Sequence, residues 1–263
     1  MAKINYEYML PHEILSARKA SPLAYLPLGP IEWHGLHNPV GLDALKAKAL
    51  CELAAEKGGG LVMPPLWWGE HREIQLLEAN PATREAAAQK MELRPEDFSF
   101  GSMGGKTIEE QAHFYNELLF HIYQQLANLG FKAIFVMCGH GPLPLYANFT
   151  AEVFMRKSPV RVFATSEAAL ISAHAKELGC PVKEGEDWGG DHAGKWETSI
   201  LMALYPELVD LSLLPQEEDA ELIGIMGEDP RKSNLEFGKL AVELILNAMV
   251  DKGKHLLQEA ETI

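Results

Sequence analysis

Three turns in this chain carry residue types that bind metal ions or move protons. The first runs Gly29-Pro30-Ile31-Glu32-Trp33-His34-Gly35-Leu36-His37-Asn38-Pro39-Val40-Gly41-Leu42-Asp43. Glu32 and His34 are two residues apart, so an extended backbone points both to the same side. Asp43 falls where a helix begins, a place where an acid is also an ordinary N-cap. Two carboxylates and an imidazole on one turn can supply oxygen and nitrogen ligands to a divalent metal. Taken alone, the turn reads equally well as a polar loop ahead of a capped helix. The second turn, Cys138-Gly139-His140-Gly141-Pro142, places a histidine between glycines after an apolar run, where a lone histidine is commonly structural. The third is Trp188-Gly189-Gly190-Asp191-His192-Ala193-Gly194-Lys195-Trp196-Glu197-Thr198-Ser199. Asp191, His192 and Glu197 crowd a helix start, where acids are favoured in any case. The coincidence of the three turns argues for chemistry.

The elements around them explain how they would meet. Leu23 to Leu28 and Ala133 to Cys138 are short apolar runs, as expected of strands buried on both faces. Leu61 to Met63 and Val160 to Ala164 read as further strands. Helical spacing covers Asp43 to Lys57, Leu145 to Lys157, Glu167 to Leu178, Thr198 to Leu204 and Leu235 to Val250. Thr107 to Leu129 adds a long helix, opened by a capping box of Thr107 and Glu110. Alternating strands and helices predict an α/β protein with a mostly parallel sheet, in which ligands gather at the carboxyl ends of the strands. The turns flank such strand ends. The polar stretch of residues 73–106 breaks the pattern and reads as an irregular insertion or arm. No linker or repeat divides the chain, so residues 1–263 are read as one domain.

Composition narrows the functional classes. The 263 residues carry a formal charge of −14, which disfavours binding to nucleic acid through its phosphates. No apolar run reaches the ~20 residues of a membrane span. The start of the chain, Met1 to Leu10, lacks a secretory pattern. Cys51, Cys138 and Cys180 are far apart and odd in number, which fits reduced thiols and a cytoplasmic location. Gly104-Gly105-Lys106-Thr107 resembles the end of a P-loop, but Phe100 stands where the first glycine is needed. GxSxG, GxGxxG and HExxH are absent.

Glu32-Trp33-His34-Gly35-Leu36-His37-Asn38-Pro39 with Asp43 keeps the spacing of the first motif of the creatininase family, with Trp33 in place of the usual Gln. Asp191-His192-Ala193-Gly194-Lys195-Trp196-Glu197-Thr198-Ser199 resembles a later family motif, and Gly69-Glu70-His71 a weaker element. The chain therefore resembles metal-dependent amidohydrolases of the creatininase family from about Leu26 to Ser199. The resemblance implies a three-layer α/β/α fold with two divalent metals, Zn, Mn or Fe, at the strand ends. It assigns Glu32, Asp43 and His140 to one metal, and His34 and Asp43 to the other. His192 matches the histidine that handles protons, and Trp188 and Asp191 match positions that contact substrate. Relatives assemble as homo-oligomers, commonly hexamers.

One departure stands out. Creatininases proper place a glutamate ligand two residues after the histidine of the second turn, where this chain has Pro142. Glu197 is therefore expected to complete the second metal site, and it joins His192 as a candidate catalytic residue. The same departure weighs against creatinine as the substrate. The expected activity is hydrolysis of a C–N bond in a small cyclic amide, amidine or formamide by a metal-activated water. The alternatives are a mononuclear hydrolase of the same family and a non-catalytic binding or scaffold protein.

Overall fold

The computed structural model describes residues 3–68, 84–94, 107–181, 188–217 and 219–262. Four parallel strands form its sheet in the order β2-β1-β3-β4, with β1 Leu23–Leu28, β2 Leu61–Val62, β3 Ala133–Cys138 and β4 Arg161–Ser166. Helices α1 (Pro11–Ala20), α4 (Ile108–Asn128) and α5 (Leu143–Met155) pack on one face. Helices α2 (Leu42–Gly58), α6 (Glu167–Ile171), α7 (Lys195–Leu204) and α8 (Leu235–Glu261) pack on the other. This is the three-layer α/β/α arrangement expected from the sequence. A short helix, α3 (Arg84–Lys90), lies in the predicted arm. Residues 73–83 and 95–106 of that arm and Gly69-Glu70-His71 lie outside the described residues.

Strand side chains alternate between the two helical layers. Leu23, Tyr25, Phe135 and Met137 face α2, α6, α7 and α8. Ala24, Leu26, Ile134 and Val136 face α4 and α5. Both faces of β1 and β3 are buried, which is why these strands read as continuous apolar runs. The register places Leu28, Cys138 and Ser166 side by side. The chain therefore leaves three neighbouring strands at one level, into the segments that carry Glu32, His140 and Glu167.

Most predicted elements sit where the pattern put them, including the Thr107–Glu110 capping box. Three differ. The helix expected over Glu167 to Leu178 is α-helical only to Ile171 and then tightens into a 3₁₀ turn. There the Ser172 hydroxyl accepts the Trp188 N–H at 3.1 Å, a local bond that competes with helix continuation. Helix α8 continues past Val250 to Glu261. Gly253, within this extension, is a close-packing residue, since a Cβ there would lie 2.8 Å from Leu23 Cδ2. Helix α1 was not foreseen, because none of its residues is fully buried and its apolar face is weak.

Candidate metal centre

Helix α2 starts against the ends of β1 and β3, and two glycines make room for it. A Cβ on Gly139 would lie 2.0 Å from the Asp43 carbonyl oxygen, and one on Gly29 2.4 Å from the Ala44 nitrogen. These contacts bring Asp43 under the strand ends. Gly139→Ala is therefore expected to displace the start of α2, cost about 3 kcal/mol of stability and weaken metal uptake. Thermal unfolding and a metal count on the same preparation check both effects.

The first turn folds back on itself so that Glu32 and His34 face Asp43. Gly35 permits the reversal with φ of 74°. His37 locks this turn to the third one. Its Nε2 meets the Ala193 carbonyl at 3.1 Å and Thr198 Oγ1 at 3.1 Å. Burial holds the His37 imidazole down at about 4, so it stays neutral in this structural role.

Five predicted ligands converge. His140 Nδ1 lies 3.1 Å from Glu32 Oε2 and 3.1 Å from Asp43 Oδ2. His34 Nε2 lies 3.2 Å from Asp43 Oδ1 and 3.8 Å from Glu197 Oε2. Two ligand sets result, Glu32–Asp43–His140 and His34–Asp43–Glu197, with Asp43 common to both. Glu32, His34 and His192 form a third possible grouping. Ligands at ~2.1 Å from one ion in tetrahedral or octahedral geometry stand ~3.0–3.4 Å apart, which matches most of these spacings. The donors fit a dinuclear centre. The remaining nitrogen of His34 is also committed, since Nδ1 meets the Glu32 carbonyl at 3.1 Å and leaves Nε2 for an ion.

The electrostatics follow from burial and proximity. Burial alone would lower His34, but Asp43, Glu197 and Glu32 outweigh it and hold its imidazole at about 9. His140 is held at about 10 by Asp43 and Glu32 against the same penalty. Burial would raise Glu32, but His140 keeps it low, and His34 and His140 keep Asp43 low. In the metal-free protein, cationic imidazoles thus compensate the carboxylates at neutral pH. A metal ligand must be neutral imidazole, so uptake releases protons and apparent affinity rises with pH toward 9–10. Calorimetric titration with Mn²⁺ in buffers of different ionisation enthalpy checks the proton release.

His192 completes one side of the site. Its Nε2 lies 2.8 Å from the Trp33 carbonyl, which can only accept, so this nitrogen carries a proton. Nδ1 is then a bare acceptor 4.0 Å from Glu32 Oε2. Burial and the His34 charge lower its basicity, which keeps the ring neutral at pH 7. Asp191 lines the same cleft, but both its oxygens cap α7 by accepting the Trp196 and Glu197 N–H groups at 2.9 Å each. Burial and the Glu197 charge raise its carboxyl to about 7. Trp188 opens the third turn, buried and edge-on to Trp196, and is not among the described residues that line the cleft.

The cleft above these groups has a volume of about 460 Å³, room for a small molecule. Two of its charged neighbours were not foreseen. Lys46 is fully buried and donates to Glu197 Oε1 at 2.5 Å and to Glu167 Oε1. Both carboxylates keep it protonated despite burial. Glu167 follows β4 directly and lines the cleft. Lys46 had left a signal, standing three residues after Asp43 on the helix face that also buries Ala47 and Leu50. An acid at the start of a helix is too ordinary for Glu167 to have been singled out.

Fold and site together define an α/β/α protein with a carboxylate–histidine centre at its strand ends. A family model described as "Creatininase: Creatinine amidohydrolase" matches residues 7–91 and 101–252. The chain belongs to the creatininase family. It is 27% identical over 197 residues to a creatinine amidohydrolase of Pseudomonas putida, covering 71% of this chain and 65% of that protein. It is 23% identical over 209 residues to a 3-dehydro-scyllo-inosose hydrolase of Thermotoga maritima, covering 78% of this chain and 58% of that protein. The chain thus spans less than two thirds of either relative. Among solved structures, a creatininase variant complexed with creatine superposes with a TM-score of 0.70 at 22% identity, covering 95% of this chain and 97% of that one. Creatininase structures of Zn–Zn and Mn type match similarly. Among the described residues, no helix is long and apolar enough to cross a membrane.

Proposed function

We propose that the protein is a metal-dependent hydrolase that cleaves a C–N bond of a small cyclic amide, amidine or formamide at a dinuclear centre. The observation that carries this reading is the convergence of Glu32, His34, Asp43, His140 and Glu197, with Asp43 shared by both ligand sets. The creatinine amidohydrolase relative supports the bond type, and the Zn–Zn and Mn creatininases support the metals.

When bound, the two cations would lower the pKa of a water and polarise the substrate oxygen. The residues of the chain do the rest. Glu32, Asp43 and His140 hold one position, and His34, Asp43 and Glu197 the other. His192 Nδ1 faces the centre with a free lone pair, accepts the proton of the attacking water and returns it to the leaving nitrogen. The Trp33 carbonyl fixes the tautomer that makes this possible. Asp191 acts through Glu197, whose backbone it holds, and presents one edge to the cleft.

A mononuclear centre is the second reading, favoured by the hold of Lys46 on Glu197. A metal count on the wild-type protein purified without chelator separates the two, and the same count on Glu197→Gln tests that ligand. One equivalent lost from two is expected, and two retained would exclude Glu197 as a ligand. Screening cyclic amides, amidines and formamides with Mn²⁺ and Zn²⁺ supplied separately tests the activity. Turnover abolished by chelation is expected. A metal-loaded protein inert toward all three classes would contradict the reading. Exposed apolar side chains on α4 and α5, Phe114, Leu145 and Phe149, support a homo-oligomer of the kind common among relatives.

A further inference from the structure

His192 is gripped twice, and one side chain joins the two grips. Its backbone pairs with Met226 in both directions. The His192 N–H donates to the Met226 carbonyl at 2.8 Å, and the Met226 N–H to the His192 carbonyl at 2.9 Å. Its ring donates from Nε2 to the Trp33 carbonyl at 2.8 Å. The Trp33 indole in turn donates from Nε1 to the Ile223 carbonyl at 2.9 Å, three residues before Met226. Gly224 fits against the same indole. A Cβ there would lie 2.4 Å from Trp33 Cδ1, and φ is 68°, so only glycine lets the backbone pass this closely. Ala87 and Ala88 of α3 pack on the indole with Leu36, Met91 and Ile223 beside them, and Trp33 is left 6% exposed. The contacts close a circuit from the indole through residues 223–226 to the His192 backbone, and from the His192 ring back to the Trp33 carbonyl. The rotation of an imidazole about its last side-chain bond is soft, and the hydrogen bond at one ring nitrogen decides what the other can do. The ring is therefore only as well placed as the carbonyl and the backbone that hold it.

We propose that Trp33 is a positioning residue for His192. Its indole, packed by α3 and bound to residues 223–224, fixes both the Trp33 carbonyl and the strand-like segment that carries Met226. Together these keep the proton on Nε2 and leave Nδ1 bare toward the centre. Trp33 and α3 are not among the described residues that line the cleft, so they act through His192 and not on substrate. The arm thereby contributes to the site from outside it. The inference rests on the reading of His192 as the proton carrier and extends it to the residue that departs from the family motif.

The test is nitrogen-15 NMR of the histidine-labelled full chain loaded with Zn²⁺, with the His192 signals assigned by their absence from His192→Ala. The wild type should show one neutral form, protonated at Nε2. Gly224→Ala forces a Cβ against the indole, and Trp33→Gln removes the indole. Both should keep the wild-type Zn²⁺ content yet show a second His192 tautomer, populated to about a tenth or more. On any substrate found by screening, both should lose about tenfold in kcat with KM little changed, as expected of a displaced group that does not bind substrate. Trp33→Phe keeps a packed ring without the N–H and should fall between the wild type and Trp33→Gln. It also serves as the test if Trp33→Gln does not fold. A Trp33 that only stabilised the fold would lower Tm and leave the tautomer unchanged in all three variants, which would overturn this inference alone. A wild-type His192 that is cationic, protonated at Nδ1 or metal-bound at Nδ1 would overturn the proton-carrier reading and this inference with it.

Discussion

Replacing Asp43 with alanine is expected to remove both metal ions and to lower turnover at least about a thousandfold. Asp43 is the residue common to both ligand sets, and its two oxygens face different histidines. Oδ1 lies 3.2 Å from His34 Nε2 and Oδ2 3.1 Å from His140 Nδ1. A bridging carboxylate also offsets the mutual repulsion of two cations, so losing it weakens both positions at once. Ligands that act as a unit give losses far larger than any one contact would suggest. Asp43→Asn is the gentler control, since it keeps the shape and one oxygen but removes the charge. Metal analysis and circular dichroism on both variants separate loss of ions from loss of fold. An Asp43→Ala protein that keeps two equivalents of metal would show that the ions lie elsewhere.

His192→Ala should behave differently. It is expected to retain its metal while turnover falls about a hundred- to ten-thousandfold, the range for loss of a positioned proton carrier. The sign of the pH effect follows from the environment. Burial lowers the His192 pKa, and metal cations beside it would act in the same direction, so the neutral, active form dominates at pH 7 and is lost only below the ordinary histidine range. The acidic limb of the wild-type rate profile should therefore lie below that range and disappear in the variant. The grouping of Glu32, His34 and His192 gives the experiment a second edge. A His192→Ala protein that loses one metal equivalent would make this residue a ligand rather than a proton carrier.

The first and second turns, and the strands that present them, were legible because their signals are local. Continuous apolar runs mark β1 and β3, and the glycines beside His140 mark a tight strand end. The gathering of the turns followed from the rule that parallel sheets collect function at the carboxyl ends of their strands, whereas the grouping of Glu32, Asp43 and His140 came from the family resemblance. Long-range contacts were not legible. Lys46 is a buried cation on a helix whose other buried residues are mostly alanine and leucine, and only its partners 121 and 151 residues away explain it. Trp188 was read from its motif as a substrate contact, and its burial edge-on to Trp196 is a packing relation that the motif does not show. His37 stood in the first motif with no assigned role, because its partners Ala193 and Thr198 belong to the third turn. The arm showed its breaks in sequence but not its contact. The described helix α3 buries Ala87 and Ala88 against Trp33, the residue that departs from the family motif.

The most direct test of the proposed dinuclear centre is anomalous diffraction from crystals of the full chain grown with Mn²⁺. Two peaks ~3.5–4 Å apart are expected, one among Glu32, Asp43 and His140 and one among His34, Asp43 and Glu197, with Asp43 between them. Full metal loading with no peak at these residues would contradict it.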